Sequence, residues 1–281
     1  MWRHNPPESC CRPFTPDRSA VIALTERLQR RLRLRHEESV ASTNSALLEE
    51  AEQGTEEGLV LLADRQTRGR GRQGRSWIAP GGCGLTFSIL RRPPVAAAEA
   101  VRWTLLAGVA SLEAIQGELA GAWLKWPNDL YFGDRKLGGI LCERSDGGQP
   151  LRDALVVGLG MNLRAPPGGW PEELIHQATS LREELRGDMP EQLARGALFN
   201  RILERFLDHE DRLILDGPER LMHCYRTAIE PMLGREVVIE RKGHPQAVKV
   251  VGVQDSGALE VLDGKGTRHA VVAGDVHLGS L

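Results

Sequence analysis

Nowhere does this 281-residue chain hold a run approaching the ~18 apolar residues of a membrane-spanning helix. The start, MWRHNPPESCCRPFTPDRS, has four prolines and lacks the apolar stretch of a secretory leader. No membrane contact is expected, and a cytoplasmic setting follows. Cysteine is scarce: Cys10, Cys11, Cys83, Cys142 and Cys224 form no C-x-x-C pair, so neither a zinc site nor a disulfide framework is expected, and the thiols read as reduced. A positive excess is missing as well. Lysine and arginine number 36 against 38 acidic residues, a formal charge of −2, whereas proteins that wrap nucleic acid carry a large basic surplus. No nucleic-acid partner is expected. With 41% hydrophobic and 26% charged residues, the chain can fill one large core and one small one.

Residues 1–19 read as a tail, and the apolar spacing of AVIALTERLQRR predicts a short helix over Ala20–Arg31. A second helix is predicted over Ala46–Gln53, with STNS before it as cap and Gly54 after it. GLVLLA (58–63) and GLTFSIL (84–90) read as strands, and Glu99–Leu119 as a long amphipathic helix. WLKWPNDLYFGDRKLGGILCE reads as three strands with a bend at Gly133-Asp134, and DALVVGLGMNL as a buried strand. Helical patterns return over Glu191–Leu213 and Pro218–Thr227. From Pro231 the texture becomes short β runs, EVVIE, AVKVVGV, ALEVL and RHAVV, which suit a compact barrel. The expected organisation is a tail with a short helix (1–32), a catalytic domain (33–230) and a small β domain (231–281).

Between the first two predicted strands lies QTRGRGRQGRSW. Arg68, Arg70, Arg72 and Arg75, with Arg65 just before the stretch, are interleaved with Gly69, Gly71 and Gly74, and no aliphatic residue interrupts them. Glycines let main-chain N–H groups approach an anion, and neighbouring guanidiniums can then fold over it. A solvated basic loop is the alternative, although an idle loop gains nothing from ordering so many glycines. The pattern formally satisfies G-x-G-x-x-G, but the chain continues RSWIAPGGCG instead of opening the helix that a dinucleotide fingerprint requires. HRD and DFG are absent, as is a G-x-x-x-x-G-K-[ST] phosphate loop, which removes the kinase and P-loop readings.

KWPNDLYFGDRKLGG supplies a second constellation. Trp126-Pro127 holds the chain extended before Asn128-Asp129, and Lys136 returns on the next strand, so a carboxylate and an ammonium can face one cleft. The aspartate can accept a proton and the lysine can neutralise charge growing on a phosphate. The alternative is a plain turn with an edge charge. The third element, Gly158-Leu-Gly160-Met-Asn162, ends a buried strand. Its glycines permit close approach of a ligand ring, and Asn162 could offer a donor and an acceptor to an adenine edge; a strand with bulge-forming glycines is the other reading.

These elements, in this order with Ser42-Thr43-Asn44 upstream, resemble the bacterial biotin protein ligases over about Glu37 to Leu281. The resemblance implies an α+β fold: a mixed sheet with flanking helices, similar to the class II aminoacyl-tRNA synthetases, followed by a small SH3-like barrel. It also implies a two-step reaction. Biotin and ATP give biotinyl-5′-adenylate and pyrophosphate with Mg²⁺ present, and a lysine of the biotin carboxyl carrier protein of acetyl-CoA carboxylase then takes the biotin. By position, biotin binding falls on Ser42, Thr43, Asn44, Gln66, Arg70, Gly71, Arg72, Lys136 and Gly139. Catalytic roles fall on Lys136, nearest the reacting carboxylate, on Arg72, retaining the adenylate, and on Asp129, receiving the acceptor lysine's proton. Nucleotide contacts fall on Arg70, Trp77, Asn128 and Asn162. The arginine loop is expected to be mobile in the empty enzyme and to order over the adenylate.

The chain departs from the family in places. Arg68 stands where a small residue is common, and RAPPGGWPEE after Asn162 is idiosyncratic. The 36 residues before the match lack the pattern of the winged helix-turn-helix that some members carry, so DNA-binding repression is not expected. Lipoate protein ligases share the fold but typically show RR-x-x-GGG where this chain has GRGRQGR, which favours biotin. Strand pairing between subunits occurs in the family and leaves a homodimer open.

Overall fold

The computed structural model describes residues 22–78, 80–93, 100–145, 154–185, 187–241 and 244–278. The tail read over 1–19, Cys10 and Cys11 lie outside them. The first helix, α1 (Glu26–Gln29), is shorter than the Ala20–Arg31 helix read from apolar spacing. Thr25 is extended, with φ −62° and ψ 156°, and Ile22 and Leu24 are buried as non-helical chain.

Strand β1 (Arg33–Val40) corrects the sequence reading, which places nothing there. RLRHEESV is too charged to alternate, yet its backbone pairs in parallel with β2 (Leu59–Gln66) at the edge of the sheet, where water reaches the side chains. Helix α2 (Thr43–Glu52) begins three residues earlier than read. Ser42 is the N-cap, extended at φ −156° and ψ 132°, and its hydroxyl accepts from the Ser45 amide. Thr43 and Asn44 thereby become first-turn residues pinned over the sheet.

β3 (Gly84–Arg91), α3 (Ala100–Ile115), β4 (Ala122–Lys125), β5 (Asp129–Phe132), β6 (Arg135–Ser145) and β7 (Ala154–Asn162) follow, close to where the sequence places them; Glu99 lies outside the described residues. The seven strands form one mixed sheet in the order β1-β2-β3-β7-β6-β5-β4, antiparallel except for β1 with β2. Period-two alternation then divides its faces. Leu85, Phe87, Ile89, Val157, Leu159 and Met161 enter the main core with α3, while Leu61, Leu90 and Val156 pack with Leu47 and Ala51 of α2 in a separate cluster. Thr86, Gly158 and Gly160 share the α2 face and floor a cavity beside that helix.

The helical layer is completed by α4 (Leu181–Glu184), α5 (Arg195–Asp216) and α6 (Glu219–Ala228). The single helix read over 191–213 is in fact a 3-10 turn, Glu191–Leu193, and then α5, because Ala194 leaves helical space at φ −56° and ψ 142°. The C-terminal strands β8 (Glu236–Arg241), β9 (His244–Val253), β10 (Leu259–Leu262), β11 (Arg268–Val271) and β12 (Val276–Leu278) make a separate antiparallel sheet, ordered β11-β10-β9-β8-β12. Three-residue β12 is too short for a period to register in the sequence. The two sheets meet at Trp126, whose fully buried ring is worth roughly 2–3 kcal/mol and whose Nε1 donates to the Gly257 carbonyl at 2.9 Å. A methyl at position 257 would lie 3.0 Å from Leu105, so the barrel sits flush on α3.

Candidate active site

The cavity beside α2 is walled on one side by a closed hydrogen-bond network. Gln66, at the end of β2, accepts from the Thr43 amide at 2.7 Å and the Thr43 hydroxyl at 3.1 Å. Ser88 Oγ lies 2.7 Å from Thr43 Oγ1 and 2.6 Å from Asn44 Oδ1. Asn44 Nδ2 donates to the Leu141 carbonyl and to Glu143, each at 2.9 Å. Two acceptors facing one end of the Asn44 amide fix which end is nitrogen, because a flipped amide would set oxygen against oxygen. Gly158 makes room for this amide: a Cβ there would fall 2.0 Å from Asn44 Oδ1.

The arginine loop closes the cavity from above. Its turn is built by Gly71 N–H donating to the Arg75 carbonyl at 2.7 Å, with Gln73 at φ 54° and Gly74 at φ 73°. The Trp77 amide donates to Gly69 O, and a Cβ at Gly69 would meet the Trp77 carbonyl at 2.3 Å, so the loop folds this tightly only with glycine there. Arg70 binds Glu143 at 2.5 Å. Arg72 reaches Asn128 Oδ1 at 3.2 Å, the Gly274 carbonyl at 3.1 Å and Asp275 at 3.5 Å, while Arg75 also pairs with Asp275.

The far wall carries the titratable pair. Lys136 Nζ lies 2.7 Å from Asp129 Oδ1, close enough to attract, yet that buried oxygen has no hydrogen-bond partner among the described residues. Gly139 lets the pair form, since a Cβ there would stand 3.1 Å from the carboxylate and 3.2 Å from the ammonium. The ammonium also sits 5.8 Å from the Trp77 ring centroid, and the ring lies against Gly160, where a Cβ would come within 2.4 Å of it. Beneath them Lys125 is buried, its ammonium 5.6 Å from the Tyr131 ring centroid. Burial pushes the Lys125 ammonium below its ordinary value against the pull of Asp129, and Lys136 adds to the depression. The Trp126-Pro127 peptide before Asn128-Asp129 is cis. Asn128 Nδ2 donates to the Ile140 carbonyl at 2.7 Å, so this amide holds Arg72 and the sheet at once.

Ser42, Thr43, Asn44, Gln66, Arg70, Gly71, Arg72, Trp77, Asn128, Asp129, Lys136 and Gly139 thus line one cavity. Asn162 does not. It lies at the end of β7 in a small adjoining cavity with Trp77 and Trp170, and its Nδ2 is spent on the Thr179 carbonyl at 3.0 Å. The sequence reading also misses Ser88, Glu143 and Asp275, and it counts Arg75 in the loop without giving it a role of its own. Polar Thr86 and Ser88 alternating with apolar neighbours on a buried strand are the signal for Ser88; Asp275 has none, being 200 residues from its partner Arg75.

Residues 37–162 match the Biotin/lipoate A/B protein ligase family, and residues 232–279 match the Biotin protein ligase C terminal domain. The biotin–[acetyl-CoA-carboxylase] ligase of Mycobacterium tuberculosis is 35% identical over 84% of this chain and 85% of its own. This chain belongs to the biotin protein ligases. The Paracoccus denitrificans biotin–[acetyl-CoA-carboxylase] ligase is 31% identical over 85% of this chain and 97% of its own. Among solved structures, the biotin protein ligase from Aquifex aeolicus in complex with biotin and ATP superimposes with a TM-score of 0.74 at 29% identity, covering 88% of this chain and 98% of that one. The mixed seven-stranded sheet with helices and the five-stranded C-terminal sheet are the fold of a biotin protein ligase. The chain is a biotin–[acetyl-CoA-carboxylase] ligase acting on a carrier protein.

Proposed function

We propose that the cavity under the arginine loop is where this ligase joins biotin to AMP and passes it to a lysine of the biotin carboxyl carrier protein of acetyl-CoA carboxylase. One observation carries the assignment. Four cations, Arg70, Arg72, Arg75 and Lys136, line the same cavity as the neutral hydroxyl and amide groups of Ser42, Thr43, Asn44 and Gln66. The neutral end suits an uncharged ureido ring, and the cationic end suits a carboxylate meeting a phosphate. Two anions repel each other until such a field surrounds them, and holding them in line supplies most of the remaining rate.

In the first step the biotin carboxylate oxygen attacks the α-phosphorus of ATP, and the bond to the leaving pyrophosphate breaks. Lys136 and Arg72 neutralise the charge gathering on the α-phosphate. In the second step the carrier amine attacks the acyl carbon, AMP leaves with the electron pair of the broken C–O bond, and Asp129 takes the amine's proton. The buried Asp129 carboxylate supports that role: its Oδ1 pairs with the Lys136 ammonium at 2.7 Å, and a carboxylate so paired still has lone pairs to accept the amine's proton.

Trp77, Arg70 and Asn128 stand on the nucleotide side, Asn128 by holding Arg72. Asn162 would serve the nucleotide through the adjoining cavity. Mg²⁺ fits this donor set as an ion carried on the nucleotide: among the described residues no three His, Cys, Asp or Glu side chains cluster as a cage, and magnesium commonly binds through substrate phosphates, water and one or two carboxylates. It would offset the charge of the phosphates there. The closed loop leaves a cavity of about 120 Å³, below the ~300–1,000 Å³ of small-molecule sites, so the loop opens to admit substrates and then excludes water from the mixed anhydride. No described helix is long and apolar enough to cross a membrane, and Cys83, Cys142 and Cys224 are unpaired thiols, which is compatible with a cytoplasmic setting.

The test is transfer of labelled biotin to a purified carrier domain, with lipoate as competitor and Arg72→Gly alongside. ATP-dependent labelling of one lysine, insensitive to lipoate and diffuse with Arg72→Gly, is the expected result. Absence of transfer by folded protein to a competent carrier overturns the assignment.

A further inference from the structure

On the opposite face of the sheet from the catalytic cavity, the helical layer holds a second, open cavity of about 490 Å³. Helix α5 supplies most of it. Arg205, Asp208, His209 and Arg212 fall at i, i+3, i+4 and i+7 and form one polar stripe, while Phe199, Ile202, Leu203 and Phe206 point into the core. Glu113 and Gln116 enter from the end of α3, and Arg220 from the first turn of α6.

The charges here do not cancel. Asp208 is held by Arg27 of α1. Glu113 accepts from buried His209 at 3.1 Å and lies 4.0 Å from Arg205; His209, then Arg205 and Arg220, hold its carboxyl below the ordinary range. Arg212 and Arg220 are left with no hydrogen bond or ion pair among the described residues, whereas Arg31, Arg135, Arg195 and Arg201 each hold a carboxylate. Two guanidiniums without a direct carboxylate contact and a third at the limit of one surround an open cavity. Guanidiniums in that state bind oxyanions, and their planar fork matches phosphate oxygens two at a time.

The spacing selects the class of anion. Arg205 and Arg212 are seven residues apart, about 10 Å along the helix axis, a span that linked phosphoryl groups bridge with both side chains directed outward, whereas a lone carboxylate or phosphate meets both only if the two side chains bend toward each other. Arg220 approaches from another helix.

We propose that this cavity is a second binding site, separate from the catalytic one, for a small molecule carrying two or more linked phosphoryl groups. Arg205 and Arg212 grip successive phosphoryls and Arg220 closes over them. The His209–Glu113 pair holds the α5 stripe against α3, keeping the arginines directed outward.

The experiment titrates inorganic tripolyphosphate into the full chain by calorimetry and compares wild type, Arg212→Ala/Arg220→Ala and Arg72→Ala. Wild type is expected to show a binding event that survives in Arg72→Ala and weakens at least about tenfold in Arg212→Ala/Arg220→Ala, the loss of roughly one charge-assisted pair or more. The double variant is expected to keep the wild-type thermal midpoint and rate of biotin transfer, since both side chains are exposed and remote from the catalytic cavity. Binding equal in wild type and the double variant, or lost only in Arg72→Ala, overturns the second site. Citrate or sulfate binding as tightly as tripolyphosphate overturns the linked-phosphoryl class.

Discussion

Gly158 shows at single-residue scale how little slack the catalytic cavity has. A β-carbon there would overlap Asn44 Oδ1 at 2.0 Å, and Asn44 cannot retreat without breaking bonds to Ser88, Leu141 and Glu143. Gly158→Ala is therefore expected to raise KM for biotin by about tenfold or more, with a smaller effect on KM for ATP, since a polar network is displaced at one end of the cavity. Steady-state kinetics with each substrate varied in turn distinguishes this from general damage, which would move both. Lys125 offers a pH test. Burial holds its folded pKa below the unfolded 10.5, so the native state resists protonation and the penalty is fully present below that lowered value. Stability rises with pH between the lowered folded value and 10.5, because the unfolded chain then binds more protons. Lys125→Met is expected to raise the thermal midpoint at pH 7, with the gain shrinking as the solution approaches pH 10.5; a gain that grows with pH would contradict the burial argument. The glycines of 158–160 were legible as points of close approach, although what approaches in this structure is the protein's own Asn44 and Trp77. Glu143 was not legible: it reads as a strand-end carboxylate until Arg70, 73 residues earlier, is seen above it.

Elements built from local patterns were legible, and those made by distant partners were not. The β4–β5–β6 meander and the floor strands announce themselves by alternation and by the Gly133-Asp134 bend, whereas β1 exists because β2 offers it a parallel edge. A similar long-range pairing joins β3 to α5. Arg91, 7% exposed, binds fully buried Glu210 at 2.6 Å, and Arg31 beside α1 holds the same carboxylate at 3.0 Å. Burial pushes the Glu210 carboxyl up and the two arginines oppose it. Arg91→Ala would leave that carboxylate buried with one partner, at a cost of about 3 kcal/mol, near the low end of the range for a broken buried pair because Arg31 remains. Urea denaturation should show the midpoint falling with the slope unchanged. A loss within the scatter of surface substitutions would mean that water or Arg31 already satisfies Glu210.

For the whole molecule, the C-terminal sheet is more than an appendage, because it reaches over the cavity and holds the arginine loop from outside. Arg72 donates to the Gly274 carbonyl, and Arg72 and Arg75 share Asp275, which is only 13% exposed. The sheet is docked elsewhere by Trp126 on Gly257 and by Arg226 on the Val253 carbonyl at 3.1 Å. Loop closure and domain docking are thus held by different contacts and can be separated. Asp275→Ala is expected to leave the thermal midpoint nearly unchanged while loosening the loop, so that biotinyl-adenylate escapes or meets water before the carrier lysine arrives. The readout is AMP formed per biotin transferred. Near one when the loop retains its intermediate, the ratio should rise severalfold in Asp275→Ala and return toward one with Asp275→Glu, which restores the charge. A ratio unchanged in the alanine variant would mean that the loop closes by its own glycine turn and Arg70–Glu143 contact, with the C-terminal sheet a bystander to retention.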